Sequence, residues 1–109
     1  MLRFVTIGYG DPAGYGRTAP ETRAAAHAHD ADLKRRGAII GVAGAPVLVR
    51  NPGAAGVRAE DAAFMSAPLP LAGFASIEAA DMAEAVRLVA QTPCAVAHGV
   101  VEVWPLTEA

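Results

Sequence analysis

Four stretches rich in β-forming residues alternate with two helical patterns, and the order strand, helix, strand occurs twice. Residues 2–9 carry Phe4, Val5, Thr6, Ile7 and Tyr9, residues 38–43 carry Ile39, Ile40 and Val42, and residues 71–77 hold Gly73-Phe74. Residues 99–106 carry Val100, Val101, Val103 and Trp104, with Pro105 ending the run. Each reads as a strand with few charges to interrupt it. Between the first two, Thr18-Ala19-Pro20-Glu21 opens a helix: Thr18 caps free N–H groups, Glu21 reaches back, and proline is tolerated in the first turn. That helix is predicted to run to Arg36, with Gly37 as its stop. Between the last two, Asp81 caps a second helix with Glu84 three residues on. Met82, Ala85, Val86 and Val89 give the clearest amphipathic stripe in the chain, and Thr92-Pro93 ends it. Sequential β-α-β units cross over right-handed. Two of them merge into a four-stranded antiparallel sheet with both helices on one face. The expectation is one α+β domain spanning residues 1–109.

The inner face of the first helix is expected to carry Thr22, Ala25, Ala26, His29 and Leu33, a stripe dominated by alanine. Aromatic residues make up only 6% of the chain although 53% of it is hydrophobic, so the core is built from small side chains. Such a core buries little area per residue, and a domain of this kind gains from burying a second surface. The apolar strands suit a sheet covered on both faces, the second cover being another copy of the chain packed about 10 Å away. Gly8, Gly10, Asp11, Pro12, Gly14 and Gly16 read as a turn or flexible loop, Asn51-Pro52-Gly53 as a turn, and Val57-Arg58 as a short strand. Pro68-Leu69-Pro70 excludes helix interior and central strand.

The net charge of -2 leaves no basic patch for nucleic acid. The one cluster, Lys34-Arg35-Arg36, ends a helix, where positive charge suits the dipole. A single cysteine, Cys94, permits no internal disulfide and points to a reduced cytoplasmic setting. It reads as a small buried hydrophobe rather than a nucleophile. No stretch approaches the ~20 apolar residues of a membrane helix, and the N-terminus reads as a strand rather than a signal peptide.

His29 is the candidate catalytic residue, since it falls on the predicted inner face, where a shifted pKa serves acid–base work. Asp32, three residues on, and Asp11 are its candidate carboxylate partners. The competing reading is a structural histidine at the boundary between helix and sheet. His27, near Arg23 and Asp30, reads as solvated. His27 and His29 diverge by about 200° on a helix and cannot chelate one ion together, so no metal is expected. The sequence does not place His98. The glycine loop lacks the lysine and serine of a P-loop and does not open a helix as a dinucleotide fingerprint does, so no nucleotide cofactor is expected. Tyr9 and Asp11 are instead placed at a small pocket at the strand end, suited to a small organic molecule. Arg50 is a candidate ligand contact with Tyr9, while Arg3 and Arg58 face that pocket or water.

Several motifs, in order, resemble the YCII-related family on its DGPF branch. Residues 4–11 (Phe-Val-Thr-Ile-Gly-Tyr-Gly-Asp) are similar to its opening strand, and Thr18-Ala19-Pro20-Glu21 to its helix start. Leu33 with Gly37-Ala38-Ile39-Ile40-Gly41 is similar to its helix end and second strand. Gly73-Phe74 before an aspartate-capped helix with Ala85 is similar to its third strand and second helix. Pro93 and Gly99-Val100-Val101-Glu102-Val103-Trp104-Pro105-Leu106 are similar to its close. The resemblance implies a ferredoxin-like βαββαβ fold forming dimeric α+β barrels, with a cleft beside the sheet and a histidine–aspartate pair proposed as catalytic in some members. At the position of the family's histidine stands Ala26, and Ser66-Ala67-Pro68-Leu69 stands where Asp-Gly-Pro-Phe does. Three functions follow: a homodimeric small-molecule enzyme with histidine-centred acid–base chemistry; a non-catalytic ligand-binding or regulatory module; or a domain that only pairs with itself or another protein.

Overall fold

A computed structural model describes residues 1–108. The chain forms β1 (Leu2–Tyr9), α1 (Pro12–Arg17), α2 (Pro20–Arg35), β2 (Ile39–Val42), β3 (Leu48–Arg50), β4 (Arg58–Glu60), β5 (Leu71–Ala79), α3 (Met82–Val89), α4 (Pro93–Val96) and β6 (Val100–Leu106). The main sheet is four-stranded in the order β2-β5-β1-β6, with every neighbour antiparallel. β3 and β4 pair as a separate antiparallel ribbon.

Strand alternation divides the sheet into two faces. Phe4 lies opposite Ile77 and Thr6 opposite Ala75, with Val103 and Val101 beside them on β6. This face meets Ala85 and Val89 of α3, and together they form the core, in which Phe4 is the one large side chain fully buried. The opposite face carries Val5, Ile7, Ile39, Phe74, Val100 and Trp104. Most of it is open: Ile39 is 71% exposed, Trp104 54% and Phe74 45%, while Val5 and Ile7 are half-buried. At one end of that face Arg3 binds Glu78 at 2.6 Å and Ser76 at 2.8 Å.

Several local expectations change. Residues 12–17 form a helix rather than a loop, started by Pro12. Gly14 is buried against the turn before β6, where an added Cβ would lie 2.7 Å from the Cβ of His98. Thr18 does not cap α2; its hydroxyl donates to Gly14 O at 2.7 Å and closes α1, leaving Ala19 as an uncapped start for α2. The buried side of α2 keeps Ala26, His29 and Leu33 of the predicted stripe but is turned so that Arg23 and Asp30 replace Thr22 and Ala25. Ala26 and Leu33 are buried and Arg23, His29 and Asp30 half-buried, while Thr22 and Ala25 face outward. The helix leans on α4 rather than lying flat on the sheet. Pro105 does not stop β6, because an edge strand tolerates a residue with no N–H to give. Gly37 ends α2 as expected, at φ +102, with Ala38 N–H donating to Leu33 O across the turn. Asp81 caps α3, accepting from Glu84 N–H at 2.8 Å, and the Glu84 carboxylate takes Ala80 N–H at 3.1 Å.

Candidate functional site

Because α2 meets the sheet side with small or polar residues around Ala26 and Asp30, a cleft of about 390 Å³ remains between this helix and the strands beneath. Its floor includes Thr6, Ala75 and Ile40, and its rim carries His27, Asp30 and Lys34 from α2. Cys94 of α4 lines it as well. Clefts of this size, mostly apolar with a few convergent polar groups, are the usual form of small-molecule sites.

Asp30 is the chemically distinct group. Burial pushes its carboxyl above the ordinary aspartate value, opposed by the nearby His27, His29 and Lys34. It accepts no hydrogen bond from another side chain among the described residues, so its oxygens are free for a ligand. The Cys94 thiol is also pushed up, first by burial and then by the charge of Asp30, so it stays protonated and is a poor nucleophile. His27 Nε2 lies 2.9 Å from the Tyr15 hydroxyl, and Arg23 stacks over the Tyr15 ring at 5.0 Å, fixing the imidazole at the cleft mouth. A carboxyl with a raised pKa beside an oriented imidazole and an ammonium can exchange a proton with a bound molecule.

The residues singled out from the sequence fall elsewhere. His29 Nε2 lies 2.7 Å from Leu88 O; a carbonyl only accepts, so this nitrogen donates and pins α2 to α3. Asp32 binds Arg35 and Arg36, each at 3.2 Å, along its own helix. Asp11 lies 3.8 Å from Arg17 at the start of α1. No hydrogen bond or ion pair among the described residues joins His29 to Asp11 or Asp32. Tyr9 projects from the open side of the sheet, donating to Glu102 at 2.9 Å and meeting Met65 Sδ at 3.2 Å. The hydrogen bond to Glu102, then burial, pushes its hydroxyl pKa up. Arg50 sits on the outlying ribbon, 3.6 Å from Glu60, and does not meet Tyr9. No three metal-type side chains converge among the described residues, and no helix there is long and apolar enough to cross a membrane.

Asp30, Lys34 and Cys94 were not legible as a site. One signal was present: Ala26, Asp30 and Leu33 share a helical stripe at i, i+4 and i+7, so an acid stands in the buried row. Fold and cleft define an α+β domain with a ligand-sized space between one helix and its sheet. Compared with family models and with curated proteins, the chain finds no match in either.

Proposed function

We propose that this chain is a YCII-related, ferredoxin-like domain that pairs with a second copy and acts on a small organic molecule held in the α2 cleft, with Asp30 exchanging a proton and His27 and Lys34 orienting the ligand. The reading transfers the histidine-centred chemistry expected of His29 to the adjacent acid, since the His29 ring is committed to Leu88. The observation that carries it is the position of Asp30: a carboxyl with a raised pKa in the wall of an apolar, ligand-sized space. The family part is supported by the motif order and by the antiparallel order β2-β5-β1-β6 with α2 and α3 on one face. Pairing is supported by the uncovered apolar face, which a second sheet would bury.

The test is a fragment screen by NMR on the wild type and Asp30→Asn across pH 4–8. Bound fragments are expected to shift the amides of Ala31, Lys34 and Ile40, with a pH dependence that disappears in the variant. Fragments that leave those amides unmoved, or that bind both proteins with one pH profile, would refute the assignment. A non-catalytic binding module is the second reading, favoured by Ala26 at the position of the family's histidine. A ligand bound in the cleft and recovered chemically unchanged after long incubation would select it.

A further inference from the structure

Ala72, Pro93 and Cys94 line the α2 cleft, and the same three residues line a second cavity of about 310 Å³. This second space is bounded by Gly10, Asp11, Tyr15, Pro70 and Leu71. Small residues keep the junction narrow-walled: a Cβ on Gly8 would lie 3.2 Å from Cys94 Sγ, and one on Gly10 would lie 3.7 Å from the Ala72 Cβ. The Tyr15–His27 hydrogen bond ties the rim of one cavity to the rim of the other. Charge is uneven along this path. Lys34 stands at the rim of the first cavity and has no ion-pair partner among the described residues.

Resting on the cleft reading above, we propose that the two cavities form one elongated site for a linear amphiphilic carboxylate, with its head at Lys34 and its hydrocarbon body passing Cys94 into the second cavity. Lys34, at the rim and unpaired among the described residues, supplies the cation for the ligand's carboxylate. The junction residues offer the body apolar surface with no hydrogen bond left unmade.

Calorimetry with hexanoate, octanoate and decanoate at pH 7 tests this. Affinity is expected to rise about fourfold per added methylene, the factor for burying each CH₂. Pro70→Trp, which fills the second cavity from its exposed rim, should leave hexanoate binding unchanged and erase the gain for decanoate. Equal affinity for all three acids, or a gain that survives the folded variant, overturns the proposal and leaves the single cleft standing. If none of the acids binds, the amphiphile is overturned, and the fragment screen decides separately whether the cleft takes any ligand.

Discussion

Asp30 shows how one residue can be paid for in stability. Its folded-state pKa is raised, so folding favours the protonated form. That contribution is complete below the unfolded aspartate pKa and is lost as pH rises through the folded one. Above the folded pKa the charged carboxyl is therefore a burden on the fold. Asp30→Asn should raise the denaturant midpoint at pH 7, and its advantage should shrink toward zero as pH falls to about 4, near the unfolded value. Urea melts at both pH values check this; a variant equally destabilised at each would mean that the carboxylate holds the fold together. An acid in a buried row was visible in the sequence. That it is short of partners, while Asp32 is satisfied by Arg35 and Arg36, was not, because two carboxylates two residues apart on a helix differ only in what the rotation brings near them.

Among the elements, the helix starts divide sharply. α3 carries a side-chain cap at Asp81 with the reciprocal Glu84 contact, whereas α2 begins at Ala19 with none. Asp81→Ala should cost about 1 kcal/mol in chemical denaturation, the usual worth of a cap; no loss would show that α3 is held by Ala85 and Val89 alone. The same capping pattern at Thr18-Ala19-Pro20-Glu21 misleads, since the competing acceptor is the Gly14 carbonyl of a short helix that the glycine-rich loop conceals. Residues between β2 and β5 form an outlying ribbon, β3–β4, followed by Phe64, 82% exposed, and Met65, which reaches the Tyr9 hydroxyl. Its turn at Asn51-Pro52-Gly53 was readable from local chemistry; its lack of packing on the main sheet was not.

At the scale of the molecule, the accessible surface is 7235 Å². A compact monomer of 11.1 kDa would expose about 5,700 Å². The radius of gyration is 15.9 Å, against about 13 Å for a compact chain of this length. The excess surface exceeds the roughly 800 Å² that each partner gives to a stable complex. Sedimentation should therefore find twice the chain mass, and Trp104→Glu, which puts a charge into the open face, should return it to 11.1 kDa without unfolding it. A monomeric wild type, or a dimer indifferent to the charge, would remove the open face as the pairing surface.

The sequence by itself determined the four main strands and the two principal helices, because periodicity, caps and stop residues act within a few positions. Leu2–Tyr9, the end of α2 at Gly37 and the capped start of α3 are local events of this kind. The tertiary structure alone decided the final rotation of α2, which brings in Asp30 in place of Thr22 and Ala25, and that His29 serves a carbonyl on another helix. It also decided that Asp30, Lys34 and Cys94 share one cleft. An alanine-rich helix has too weak an apolar stripe to fix its own rotation. Its neighbours α3 and α4, far along the chain, set that angle, and with it which polar groups line the space beneath.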